Sequence, residues 1–383
     1  MVSLEVYLPT PGHSIRPIAL NMAAGMLQEG TRSRTAAQIQ DALALKGAFI
    51  SLGADEEHVH LGIYTLASFL PKLLPLVREL LTESSFEEAP FSLQKAQALQ
   101  NFRVGREKTT VLASEAFAAR IFGPDSFLGA VPSEAEIEAL TALDAQEMYY
   151  NHLAPQRAEV FLAGQFPDTL ADEVAAALGP ILGTRHNEHA AFATAPAYRE
   201  GERFEQPKAG SRQVSLRIGR RLFGRDHSDY FTMRILAEVY GGYFGSRLMK
   251  NVREEKGLTY GISARLRPVP GTGALVVGTD VNQANYALAV QEIFAEMRRL
   301  QEDLVPSEEL ETVRNYMLGN FASGLGTVFQ TMDKHKLLVL SHLPSDYHQR
   351  YLDAIRSVTA EQLRDCAQTY LRPEDMLTVA VGV

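Results

Sequence analysis

Apolar residues recur along the chain at two spacings. Val290, Ile293, Phe294, Met297 and Leu300 fall three or four positions apart, the stripe of a helix that buries one side. Residues 2–8, 49–52, 58–64 and 274–277 form short apolar or alternating runs, which predict strands. Leu258, Tyr260, Ile262 and Ala264 alternate in the same way, so spacing alone suits Tyr260 to a buried strand face as well as to an exposed role. These elements interleave without the regular strand–helix beat of a doubly wound parallel sheet. The predicted class is α+β, mostly antiparallel sheet with helices packed on one face.

The pattern is written twice. Residues 143–164 and 358–382 each read as a capped helix start (Asp144 with Glu147; Thr359 with Gln362), a helix, a proline (Pro155; Pro373) and a strand ending in glycine (Gly164; Gly382). Upstream, residues 76–81 parallel residues 293–298, and Asn101-Phe102 parallels Asn320-Phe321, so the offset holds near 215–219 residues. Several matches in one order indicate an internal duplication. Two homologous α/β-sandwich domains are expected, at 1–185 and 209–383. A weakly periodic linker, 186–208, would join two domains able to enclose a chamber.

Composition narrows the function. The formal charge is −9, with no basic run to offset it, which argues against a nucleic-acid binder. No apolar run is long enough to span a bilayer, so no membrane partner is expected. The single Cys366 excludes an intramolecular disulfide and reads as a buried helical residue. No leader precedes the strand at residues 2–8, so cytoplasm is the expected compartment, or periplasm if a leader was removed. Three weaker motifs read as structure. His186-Asn187-Glu188-His189 falls in the linker, His58 and His60 are strand neighbours, and residues 324–327 form a turn.

Residues 241–260 carry the most information. They read as a glycine turn, a short helix opened by Ser246 and closed by Gly257, and then a strand, with Arg253 near the helix end and Tyr260 seven residues on. This segment resembles the arginine–tyrosine segment of the insulinase/pitrilysin-type (inverzincin) zinc peptidases, and the resemblance extends over nearly the whole chain. That family carries His-x-x-Glu-His on an early helix, followed by Gly-Thr and another helix. Here Gly30-Thr31 precedes a helix expected from Thr35 to Gly47, which sets Asn21, Ala24 and Gly25 at the ligand and base positions. The family's third ligand, a glutamate, falls at Asn101. None of the four can ligate zinc tetrahedrally or take a proton from a metal-bound water.

The resemblance implies a non-catalytic subunit of a heterodimeric, processing-peptidase-like enzyme. Arg253 and Tyr260 would stabilise the oxyanion and grip an unfolded peptide in the active site of a homologous His-x-x-Glu-His partner. Zinc is expected in that partner, with no cofactor in this chain. A scaffold, or a peptide-binding homodimer without hydrolysis, is the alternative. Family members usually begin with a further strand before the one at residues 2–8, so the first sheet is expected to be one strand shorter unless the sequence begins late.

Overall fold

The computed structural model describes residues 1–10, 16–153, 158–182, 199 and 201–383. The His186–His189 motif, Pro155 and most of the expected linker lie outside these described residues. The chain divides into two compact units, each built on one sheet.

The first unit takes the described residues of 1–103, 132–191 and 326–340. Its sheet has the order β2-β3-β1-β4, with β1 Val2–Pro9, β2 Phe49–Ala54, β3 His58–Thr65 and β4 Glu159–Gly164, all antiparallel. Period-two alternation sets its two faces. Val2, Leu4, Val6 and Leu8 are buried on one side with Val59, Leu61 and Ile63. The other side carries Tyr7, stacked on His60 and edge-on to both His58 and Phe161, so the two histidines are strand residues packed around a tyrosine. The helix Ala36–Ala44 starts where its sequence predicts. Thr35 and Gln38 form a reciprocal capping box, and Gly47 follows at φ +53°.

The second unit takes 104–131, 341–383 and the described residues of 192–325. Its sheet has the order β5-β9-β6-β8-β7, with β5 Arg203–Gln206, β6 Gln213–Leu222, β7 Thr259–Val269, β8 Thr272–Asn282 and β9 Leu377–Val381. Only the short β5–β9 pair is parallel. The main core lies between one sheet face and the helices Tyr230–Ala237, Tyr286–Glu302 and Ala360–Tyr370. Cys366 is buried there, its Sγ 3.9 Å from Met233 Sδ.

The first sheet has four strands and the second five, β5 being the extra one, as expected of a first sheet one strand shorter. Three features differ from the sequence pattern. Arg203–Gln206, within the span read as linker, is a strand that finds hydrogen-bond partners on β9. The first repeat's helix is capped one turn earlier than read, by Thr141 with Asp144 rather than by Asp144 with Glu147. The third is a reciprocal exchange. The helix Thr109–Phe122 joins the second unit, packing Ala113, Phe117 and Ile121 against Leu377, Val379 and Val381. The helix Val328–Leu340 joins the first, packing Met332 against Phe161 and Ala163. The two helices begin 219 residues apart, the offset of the repeat itself. Each sheet thus carries helices on one face and a single helix from the other half of the sequence on the opposite face. Among the described residues no helix is long and apolar enough to cross a membrane.

Candidate functional site

The segment around Arg253 is shaped by glycines. A β-carbon at Gly241 would lie 2.6 Å from the backbone nitrogen of Ala264, so only glycine lets the chain pass this close to β7. After the turn, the backbone carbonyl of Ser246 accepts a hydrogen bond from Lys250 N at 3.0 Å. The Ser246 hydroxyl is buried and caps nothing, so Ser246 opens the helix through its backbone alone. The turn that follows is π-helical, Met249–Glu255. A wider turn of this kind is a frequent mark of functional segments. Gly257 ends it at φ +61°, with Gly257 N donating to Arg253 O at 3.2 Å and Leu258 N to Val252 O at 3.0 Å.

The inner side of this helix is anchored by charge as well as by apolar packing. Val252 and Met249 are buried in the core. Asn251, 5% exposed, donates its amide to Glu292 Oε2 at 3.1 Å and to Glu296 Oε1 at 2.6 Å. Lys256 pairs with Glu292 at 3.5 Å and Arg299 with Glu296 at 2.5 Å, which compensates both carboxylates. The outer side carries Arg253, whose guanidinium lies over the ring of Phe244, 4.7 Å from its centroid. Arg253 forms no ion pair with a described residue, and Phe244 is 65% exposed. The sequence reading missed Phe244. Its signal was an aromatic residue set between Gly242 and Gly245, at a turn that nothing apolar nearby would bury.

Tyr260 departs from simple alternation. Leu258, Ile262 and Ala264 are buried, yet Tyr260 is 95% exposed. The register between β7 and β8 shifts between Thr259 and Ile262, which is a β-bulge. Hydroxyl hydrogen bonds hold it. Thr259 Oγ1 accepts from Gly261 N at 3.1 Å, and Thr279 Oγ1 reaches both Thr259 Oγ1 and Gly261 O at 2.9 Å. The extra residue leaves Tyr260 and Gly261 both facing solvent, and the phenol bonds to no described residue.

The four expected ligand positions lie in the first unit. Asn21, Ala24 and Gly25 sit on the helix Pro17–Met26, and Asn101 on the helix Glu88–Arg106. Asn21 is exposed and donates to its own helix at Pro17 O, while Ala24 is buried. A β-carbon at Gly25 would lie 2.8 Å from Gln94 Oε1, so the Gln94 amide takes the room that a ligating side chain would need. Asn101 is exposed and accepts from Gln97 Nε2 at 3.0 Å. These residues do not fit zinc: two are amides engaged within their own helices, and two offer no donor atom. Among the described residues no group of three or more His, Cys, Asp or Glu side chains is placed to hold a metal ion.

Comparison with known proteins finds relatives along most of the chain. Residues 139–317 match the family described as the peptidase M16 inactive domain. Over that stretch, a little under half of its length, the chain is similar to this family. A Bacillus subtilis relative named as an uncharacterized zinc protease, YmxG, is 22% identical over 90% of this chain and 83% of its own. A Helicobacter pylori relative named as the non-peptidase homolog YmxG is 20% identical over 94% of this chain and 82% of its own. The crystal structure of a peptidase M16 inactive domain from Pseudomonas fluorescens superimposes with a TM-score of 0.87 at 20% identity, covering 99% of this chain and 92% of that one. In this chain Asn21, Ala24, Gly25 and Asn101 stand at the positions where the resemblance sets the peptidases' ligands and base.

Proposed function

We propose that this M16 homologue is the non-catalytic subunit of a two-chain zinc peptidase. In this reading Arg253 and Tyr260 are lent to the active site of a His-x-x-Glu-His partner that holds the metal. The observation that carries the reading is the exposure of Tyr260. A tyrosine flanked by core-facing residues is turned into solvent by a bulge, in the same unit as an arginine, and among the described residues neither its hydroxyl nor that guanidinium has a hydrogen-bond or carboxylate partner.

Both groups are hydrogen-bond donors, and peptide hydrolysis builds negative charge on the former carbonyl oxygen. A phenol and a guanidinium aimed at that oxygen would stabilise the transition state more than the substrate. Loss of one such donor costs about 3 kcal/mol of barrier, roughly a hundredfold in rate. The guanidinium has five N–H groups in a fixed fork, so it can also hold substrate carbonyls beside the scissile bond.

The test is reconstitution. Peptide cleavage is measured for the chain alone, for a histidine-bearing homologue from the same cell, and for the mixture. Cleavage is expected in the mixture only, and reduced on the order of a hundredfold by Arg253→Ala or Tyr260→Phe. Cleavage by the chain alone, or full rescue by both variants, would overturn the proposal.

A further inference from the structure

A groove of about 310 Å³ opens on the face of the second sheet that points away from the main core, bordered by Arg217 of β6, Gly278 and Asp280 of β8, and Gly261, Ser263 and Arg265 of β7. Arg217, Gly278 and Ser263 share one rung of the sheet, and Arg265 sits opposite Val276 on the next. The Arg217 side chain runs alongside Gly278, where a β-carbon would meet its Nη1 at 3.7 Å, so the bare α-carbon keeps the floor open.

The charges here are unbalanced. Arg217 donates to Ser114 Oγ at 3.1 Å, Leu216 O at 2.7 Å and Thr110 O at 3.3 Å, all neutral oxygens, and pairs with no carboxylate among the described residues. Burial pushes its pKa down, against the opposing field of Asp280. A half-buried cation whose hydrogen bonds all go to neutral acceptors is costly, and an incoming anion would relieve it. Arg265 is exposed and makes no ion pair or hydrogen bond with a described residue; its field reaches Glu238 without contact. Asp280 is the one carboxylate of the lining, and its Oδ1 is held by Ser215 Oγ at 2.5 Å. The lining therefore carries two cations against one anion, in a chain whose net charge is −9.

An extended ligand also has a backbone to meet. β7 is the last strand of the β5-β9-β6-β8-β7 order, so its outer edge pairs with no described strand. We propose that this groove takes the carboxylate side chains of an extended acidic peptide, through Arg217 and Arg265. The inference rests on the reading of this unit as peptide-binding and adds the substrate class.

The experiment is fluorescence anisotropy on the full chain. It uses two short unstructured labelled peptides that differ only in a central Glu-Asp-Glu or Gln-Asn-Gln. The acidic peptide is expected to bind roughly tenfold more tightly. Arg265→Gln, at an exposed site, should leave the melting temperature unaltered and bring the two peptides within about threefold of each other. Gly278→Val, which fills the floor, should weaken the acidic peptide by roughly tenfold. Equal binding of the two peptides, or an unchanged preference in Arg265→Gln, would overturn the groove and leave the peptide-binding reading standing. Failure of both peptides to bind would overturn both. Displacement of the acidic peptide by inorganic phosphate as effectively as by unlabelled peptide would reassign the groove to small free anions and overturn the proposal.

Discussion

Arg253 lies over Phe244 with its guanidinium 4.7 Å from the ring centroid, and this contact fixes the direction of an otherwise mobile cation. Stacking leaves the N–H edges of the guanidinium free, whereas a carboxylate partner would occupy them. Phe244→Ala is therefore expected to weaken peptide binding or partner rescue by about two- to fivefold, less than Arg253→Ala, since an exposed cation–π contact is worth about 0.5–1 kcal/mol. Thermal unfolding should not change, because the ring contributes little to the core. Calorimetry beside the rescue assay checks both halves.

Asn251 joins the helix that carries Arg253 to two buried glutamates. Asn251→Leu removes the donor shared by Glu292 and Glu296 and should destabilise the protein by about 2–3 kcal/mol, the usual consequence of leaving a buried charged acceptor short of a hydrogen bond. Chemical denaturation measures it. A loss below about 0.5 kcal/mol would show that Lys256 and Arg299 satisfy both carboxylates without help.

Two glycines of the segment should differ in what they tolerate. Gly257→Ala places a β-carbon in open space and meets only the left-handed φ of +61°, about 1 kcal/mol. Gly241→Ala forces its β-carbon against the Ala264 backbone nitrogen, an atom that cannot swing aside, so about 2–3 kcal/mol is expected. Reversal of that order in denaturant titrations would contradict the packing described.

The first unit offers a pH test. Burial of Glu79 pushes its carboxyl up, but hydrogen bonds from Ser33, Thr31 and Arg34 outweigh that and hold it below the usual carboxylate range. As pH falls, the unfolded chain takes this proton first. The stabilisation is thus complete above the unfolded value of about 4.3 and is lost as pH drops through the lower folded value. Glu79→Gln should lower stability at neutral pH and flatten the acid limb of the stability profile. Melting temperatures from pH 7 down to about 3 read this directly.

The metal-position residues show how much of a site one sequence can disclose. Asn21, Ala24, Gly25 and Asn101 cannot assemble a zinc centre by virtue of their chemistry alone, and no fold could change that. By contrast, nothing in the alternation of Leu258, Tyr260, Ile262 and Ala264 announces a bulge. It depends on hydroxyl contacts between Thr259 and Thr279, twenty positions apart and on different strands. Phe244 was legible only as an aromatic between glycines, and its partner Arg253 only as a cation near a helix end.

By itself the sequence determined the repeat, the α+β class with several of its strands and helices, the start of the helix after Thr35, the cap at Thr359, and which donor atoms Asn21, Ala24, Gly25 and Asn101 can offer. All of these are written within a few neighbouring residues, through side-chain periodicity, local hydrogen bonding and donor identity. Tertiary structure decided which sheet receives the helices that begin at Thr109 and Val328, which face Tyr260 takes, and which arginines form no ion pair with a described residue. Those outcomes follow from burial and pairing between residues far apart in the chain, where the same helix pattern would satisfy either sheet and only the folded packing distinguishes them.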